Sequence, residues 1–311
     1  MESELSNLAL IIDAMHGVSM VTRAEVAAAA LFVWDYFITI GMEVDLVWTS
    51  RWNSIKVLFL IQRYLPFIDT CILTLYRDLV PRGHDECTSF QKATGFLYIT
   101  GFAVSELLLT MRVWAVWNRS KALGYLLPMA FIAVWVPAYV FMFFFANSLQ
   151  FSKEPPLPGI TGCFVIHASN LVIWCWTSLI IWNTITLILM LIPGWRAYKI
   201  GVNSTLSTIV YRDGTFYYIY LFILSVLNIV LAIAAAPTRR FVLTSMERCL
   251  HSMLATRVIL HMRDHARRPQ LEWVGGEFST GAVEFATGGH ISAVPQNIEA
   301  DPMAFKMKPI H

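Results

Sequence analysis

Long apolar stretches separated by short polar segments dominate the chain. A membrane-spanning helix needs about 20 mostly apolar residues, because an α-helix rises about 1.5 Å per residue across a hydrocarbon layer of about 30 Å. Six stretches meet this condition, and each is bounded by charged residues, proline or glycine. They are Glu25–Trp48, Ile55–Tyr76, Ala93–Trp117, Ala122–Ala146, Ala168–Ile192 and Thr215–Ala236. The pattern therefore predicts an all-α integral membrane bundle.

A seventh stretch, Phe241–Leu260, is apolar but also contains charged residues. On a helix its polar members share one arc, and leucines and methionines occupy the opposite side. The polar residues are Thr244, Glu247, Arg248 and His251. Such a pattern is typical of a spanning helix whose polar face points into a bundle, and also of a helix that lies on the membrane surface. We expect the spanning arrangement, which gives seven transmembrane helices.

The distribution of lysine and arginine predicts the orientation, since these residues accumulate on the cytosolic side of a membrane. Seven spans with an outside N-terminus place twelve of them on inner segments and seven on outer segments. The pair Arg239-Arg240 falls on the outer side and is the exception. We therefore expect an extracellular or lumenal segment at residues 1–24, a seven-helix domain at 25–262 and a disordered cytosolic tail at 263–311.

Composition supports a membrane protein and excludes several soluble classes. Of the 311 residues, 57% are hydrophobic and 14% are charged, against about 25% charged residues in soluble domains. Too few charges remain to cover the surface of a water-soluble protein of this size. The net charge of +2 also provides no basic field for DNA or RNA. The expected partner is the lipid bilayer, in the plasma membrane or an endomembrane, and not nucleic acid.

Several ionisable residues fall inside the predicted spans, where each costs about 2.5–3.5 kcal/mol unless it has a partner. The candidates are Asp35, Arg63, Asp69 and Glu106. Asp35 and Arg63 lie near the middle of two antiparallel spans, so they can meet at similar depth. Glu43 lies nearer the inner face, where Arg51 and Lys56 are available. Two interpretations are open: a polar pathway for protons, ions or a small ligand, or pairs that fix helix packing.

The five cysteines differ in where they fall. Cys87 and Cys163 lie in the second and fourth loops, which are both outer loops in the expected topology. Two thiols on the oxidising side can form a disulfide that ties these loops together, or they can remain as unpaired surface thiols. The other cysteines lie within spans and are interpreted as small apolar residues.

Motifs of enzyme chemistry are absent from the sequence. It contains no glycine-rich phosphate loop, no Gly-x-Ser-x-Gly and no Cys-x-x-Cys. His261 and His265 are four residues apart and could face a metal together, but membrane di-iron enzymes need several such pairs. We interpret this segment as a basic helix next to the membrane. We therefore expect no catalytic residues, no metal, no cofactor and no enzymatic activity.

Several segments carry a resemblance to a known family. Within residues 30–80 they are Trp34–Thr39, Glu43–Trp48, Trp52–Leu60 and Arg63–Pro66, and later ones are Met111–Trp117 and Arg257–Asp264. Together they resemble a large family of fungal, mainly basidiomycete, multi-pass membrane proteins, domain of unknown function 6533. The resemblance implies a seven-helix membrane protein of fungal origin, and it implies no reaction and no ligand.

The expected topology is also similar in outline to that of G-protein-coupled receptors. Two departures weaken this likeness, because a lone Arg112 replaces the acidic-Arg-Tyr triplet and no Asn-Pro-x-x-Tyr is present. We expect a non-enzymatic protein of receptor-like topology with an unknown small ligand or cytosolic partner. The alternative is a transporter or proton-linked channel that uses the buried charges of the first three helices. A structural or lipid-organising protein is a third class.

Overall fold

The computed structural model of the chain describes residues 2–76, 84–151, 165–200, 214–235 and 239–284. The helices of this part are α1 (Glu2–Glu43), α2 (Ser54–Pro66), α3 (His84–Val116), α4 (Lys121–Ser148), α5 (Val172–Ile200), α6 (Gly214–Ala234) and α7 (Thr244–Glu284). Helices α1 and α2 continue as π-helical segments, Val44–Trp48 and Phe67–Thr74. A short antiparallel ribbon pairs β1 (Gln150–Phe151) with β2 (Val165–His167) before α5. The expected all-α architecture is confirmed.

Polar residues set the helix ends that separate neighbouring spans. The side chain of Asn53 accepts a hydrogen bond from the backbone N–H of Lys56 at 2.8 Å and so caps the start of α2. Between α3 and α4, Asn118 and Arg119 adopt φ angles of 53° and 52°. These left-handed residues end α3 and reverse the chain within one short turn.

Within the described part of the chain, six helical segments are long and apolar enough to cross a bilayer. They are Met15–Trp48, Ser54–Thr74, Cys87–Val116, Lys121–Ser148, Val172–Trp195 and Thr215–Ala234. Large apolar side chains such as Trp34, Phe37 and Tyr125 point out of the bundle and are exposed, as expected of surfaces that face lipid. The chain is therefore a membrane protein built from a helical bundle, in agreement with the prediction.

Helix α7 lies at the centre of this bundle, packed against α1, α2, α3 and α6. No residue from 241 to 260 is exposed, so its polar face and its apolar face are both covered by other helices. Glu247, Arg248 and His251 are buried as fully as Leu260. These charged residues explain why α7 is not among the six apolar segments. A helix lying on a membrane surface exposes its polar face to water, and this part of α7 does not.

Two helices extend beyond the bounds that hydropathy suggested. Helix α1 begins at Glu2, well before the predicted span, and α7 continues to Glu284, into the segment expected to be a disordered tail. A helix nucleated in the bundle continues outward because each added residue contributes one further backbone hydrogen bond. Residues 285–311 lie outside the described part of the chain, so disorder there stays a prediction.

Candidate functional site

Charged side chains from α1, α2 and α7 meet in a group that we call the arginine cluster, made of Asp35, Glu43, Arg63 and Arg257. Arg63 Nε lies 3.1 Å from Glu43 Oε2, and Arg63 Nη1 lies 3.3 Å from Asp35 Oδ2. Arg257 Nε lies 2.6 Å from the second oxygen of Asp35. Two carboxylates and two guanidinium groups balance, so this cluster carries no net charge.

Hydrogen bonds from neighbouring residues complete the arginine cluster. Arg63 Nη2 donates to the Thr39 hydroxyl and, at 3.3 Å, to the carbonyl oxygen of Tyr36. The hydroxyl of Tyr64 donates to Glu43 Oε1 at 2.8 Å. Every nitrogen of the Arg63 guanidinium therefore has a partner, which is the condition under which a buried ion pair is tolerated.

A second ion pair joins α7 to the π-helical segment after α2. Arg248 Nε lies 2.9 Å from Asp69 Oδ2, and both side chains are fully buried. Thr70 donates to the other oxygen of Asp69 at 2.8 Å. With the Gln62 amide in the orientation that satisfies both its oxygen and its nitrogen, its oxygen accepts from Arg248 Nη1 at 3.3 Å. Gly101 of α3 lies against the guanidinium, where a Cβ atom would overlap it. This glycine therefore makes room for the pair.

A third group, which we call the histidine cluster, consists of Glu106, Glu247 and His251. His251 Nδ1 lies 3.3 Å from Glu106 Oε1, and His251 Nε2 lies 3.7 Å from Glu247 Oε1. All three side chains are fully buried. From α6, Ser225 donates to Glu247 Oε1 at 2.6 Å and Asn228 donates to the other oxygen. The cluster thus connects α3, α6 and α7.

Hydrogen bonding in the histidine cluster is incomplete. Neither carboxylate oxygen of Glu106 accepts a well-directed hydrogen bond, and neither ring nitrogen of His251 makes one. The imidazole instead packs in a T-shaped arrangement with the ring of Phe102, with centroids 5.1 Å apart and planes at 88°. Among the described residues, no group of His, Cys, Asp or Glu is arranged to hold a metal ion. The histidine cluster is therefore a desolvated group of ionisable side chains with unused hydrogen-bonding capacity.

Further polar contacts extend this pattern along α7 in both directions. Towards its start, Ser245 lies 2.9 Å from the hydroxyl of Tyr98 and donates to Glu25 at 3.4 Å. Beyond the arginine cluster, Arg263 donates to the carbonyl oxygen of Leu46 at 2.9 Å. At about 1.5 Å per residue, the distance from Ser245 to Arg263 is about 27 Å, close to the thickness of a hydrocarbon layer.

A pocket of about 440 Å³ lies beside α1 near the residues that precede α7. Its lining consists of Asp13, His16, Ser19, Met20, Arg23 and Arg239. Arg239 and Asp13 form an ion pair across it. Two arginines and a histidine face a single carboxylate, so the pocket favours a ligand with a negative group.

The structure brings Asp35 and Arg63 together, whereas the two other candidates from the sequence have partners on α7. Asp69 binds Arg248, and Glu106 lies beside His251. Sequence reasoning missed these α7 partners, although the polar arc of that segment was the available signal. Hydropathy treats each span alone and cannot show which charges face one another.

Two further expectations have different outcomes. Glu43 binds Arg63, whereas Lys56 donates instead to the carbonyl oxygens of Trp48 and Ser50, at 3.1 and 2.7 Å. The reason is that α2 runs antiparallel to α1 and brings the long Arg63 side chain within reach of Glu43.

Cys87 is buried and disulfide-bonded. Cys163 lies outside the described residues, so its pairing stays a prediction.

Comparison with known proteins places part of this bundle in context. A family model described as "Family of unknown function (DUF6533)" matches residues 24–68. The matched segment contains three members of the arginine cluster, Asp35, Glu43 and Arg63, and none of the histidine cluster. No curated protein matches the chain. The match supports the resemblance to a family of unknown function over this segment, and the fungal origin stays a prediction.

Proposed function

We propose that the chain is a seven-helix membrane receptor with its N-terminus outside and its C-terminus in the cytosol, and that it is not an enzyme. The seventh helix is α7, which packs against four other helices and has no exposed residue among 241–260. Water-exposed helices do not bury six charged or hydroxylated side chains in this way. An odd number of spans then puts the two ends of the chain on opposite sides.

The observation that carries the receptor proposal is the length of α7 and what lies at its two ends. Arg239 lines the pocket a few residues before α7 begins. At the other end of the buried segment, Arg263 donates to the carbonyl oxygen of Leu46 and to the Ser50 hydroxyl at 2.9 and 3.0 Å. Helix α7 and the turn 239–243 that precedes it therefore run from the pocket to the turn between α1 and α2, which is the connection that a receptor needs.

The test is thermal unfolding of the purified protein with citrate as the first anionic probe. We expect citrate to raise the melting temperature of the wild type, since a ligand that binds only the folded state stabilises it. Arg23→Gln should lose this effect because it removes a positive charge from the pocket. Arg51→Gln, an exposed arginine outside the pocket, is the matched control and should keep it. Equal stabilisation of all three proteins would contradict a binding site in the pocket.

A second candidate function is a transporter or proton-linked channel, the alternative expected from the sequence. The observation that favours it is the histidine cluster, because ionisable groups with unused hydrogen bonds in mid-bundle are typical of proton pathways. The discriminating measurement is proton flux in vesicles that contain the wild-type protein and a pH-sensitive dye. Flux above that of empty vesicles would support transport, and its absence together with ligand-induced stabilisation would support the receptor.

A further inference from the structure

The histidine cluster requires more protons than a neutral imidazole supplies. Carboxylate oxygens lie 3.3 Å from His251 Nδ1 and 3.7 Å from its Nε2, one from Glu106 and one from Glu247. A neutral imidazole has one N–H and one lone pair, so one of these carboxylates would face a lone pair. Such an arrangement is repulsive in an interior without water. A second proton, on the ring or on a glutamate, removes the repulsion.

The two glutamates differ in what else they bind. Glu247 accepts hydrogen bonds from Ser225 and Asn228, which stabilise its charged form. Glu106 is equally buried, and neither of its oxygens accepts a well-directed hydrogen bond. The negative charge is therefore held on Glu247, and the second proton belongs between Glu106 and His251.

Neighbouring charges leave this requirement in place. Helix α6 contributes only uncharged donors to the cluster. On α1 and the segment from α2 to its π-helical extension, the facing charges are bound in the ion pairs described above. The other buried titratable groups on these helices are Glu25 on α1, Tyr98 and Arg112 on α3, and Tyr218 on α6. Arg112, a buried cation on the same helix as Glu106, makes no hydrogen bond to either oxygen of Glu106. Tyr98 is engaged with Ser245 at 2.9 Å, and Tyr218 donates to the carbonyl oxygen of Leu109 at 2.9 Å.

We infer that Glu106, Glu247 and His251 form a proton-binding site, in which one exchangeable proton is shared between the Glu106 carboxyl and the His251 ring. A proton from solvent adds to this pair on binding and returns to solvent on release, and no other bond forms or breaks. Release leaves a neutral imidazole between two carboxylates. Because Glu106 belongs to α3 and the other two residues belong to α7, release weakens the contact between these helices. The site does not depend on whether the protein is a receptor or a transporter.

Infrared difference spectroscopy of the protein in lipid vesicles tests this inference between about pH 5 and about pH 9, a range that brackets ordinary histidine titration. We expect the wild type to lose a carboxylic acid C=O band, or an imidazolium band, as the pH rises. Glu106→Gln should lose this signal, because its amide needs no proton. Asp45→Asn changes an exposed carboxylate and should retain it. A wild-type spectrum without the change, or an unchanged signal in Glu106→Gln, would overturn the inference.

Thermal unfolding over the same pH range gives an independent readout. The proton stabilises the folded state, so we expect the melting temperature of the wild type to fall as the pH rises and the proton is lost. In Glu106→Gln the amide N–H can donate to neutral His251, so its melting temperature should depend less on pH. An equal pH dependence in both proteins would count against the shared proton. Seven other histidines also give imidazolium bands in this range, so if Glu106→Gln does not fold, His251→Gln takes its place in the comparison with the wild type.

Discussion

The arginine cluster and the histidine cluster are both buried groups of ionisable side chains anchored on α7, yet they differ in how completely they are satisfied. In the arginine cluster two acids meet two arginines, and each guanidinium nitrogen of Arg63 has a partner. In the histidine cluster two acids meet one imidazole, and Glu106 accepts no well-directed hydrogen bond. We interpret the first arrangement as one that fixes helix register, and we infer that the second can change its protonation.

The location of the family match agrees with this division. Three of the four residues of the arginine cluster lie within residues 24–68, which carry the match, and the histidine cluster lies outside them. The matched segment thus contains the arginine cluster except for Arg257. The unused hydrogen-bonding capacity of the histidine cluster lies on Glu106 of α3 and His251 of α7, outside the matched segment.

The largest expected loss of stability comes from breaking the arginine cluster. Arg63→Met leaves Asp35 and Glu43 buried with too little positive charge, and removing one partner of a buried ion pair costs about 3–5 kcal/mol. We expect little folded protein, measured by size-exclusion chromatography in detergent and by thermal unfolding. Arg51→Met, which changes an exposed arginine, is the control and should behave like the wild type. Wild-type stability in Arg63→Met would show that the cluster is dispensable.

An intermediate loss of stability is expected at the Asp69–Arg248 pair. Its hydrogen bonding is less complete than that of the arginine cluster and more complete than that of the histidine cluster. In Gly101→Ala the added methyl group occupies the space of the Arg248 guanidinium. Overpacking of a core costs about 1–3 kcal/mol, and displacement of the guanidinium from Asp69 adds to this. The melting temperature should fall clearly. Gly41 has no neighbouring atom within 4 Å of an added Cβ, so Gly41→Ala should be neutral or slightly stabilising.

The smallest effect tests whether the arginine cluster tolerates the loss of one donor. Tyr64→Phe removes the hydroxyl that donates to Glu43 Oε1, but Trp48 Nε1 still donates to the same oxygen at 3.1 Å. We expect a loss of about 1 kcal/mol in the free energy of unfolding. Tyr125→Phe changes an exposed tyrosine and should have no measurable effect. A loss of folded protein in Tyr64→Phe as large as in Arg63→Met would show that the Trp48 donor cannot replace the Tyr64 hydroxyl.

The six apolar spans could be predicted from the sequence, because lipid-facing helices must be apolar along about 20 residues. The pairing of Asp35 with Arg63 was also accessible, since antiparallel spans bring mid-span residues to similar depth. The partners of Asp69 and Glu106 were not. Their positions depend on which face of α7 meets α2 and α3, and hydropathy carries no information about rotation of a helix around its axis.

The role of α7 was the least predictable feature for a related reason. Its charged residues lower its hydropathy, so by composition alone it resembles a helix at the membrane surface. Only the surrounding helices show that these residues face protein. The most central helix of the bundle is therefore the one with the weakest membrane signal.

The central claim is that α7 crosses the membrane as the buried core of the bundle, and its most direct test is the position of the two chain ends. Epitope tags at the N-terminus and the C-terminus can be probed with antibodies on intact and permeabilised cells. If α7 spans the membrane, the two tags lie on opposite sides, and only the C-terminal tag requires permeabilisation when the protein is in the plasma membrane. Detection of both tags on the same side would contradict the claim.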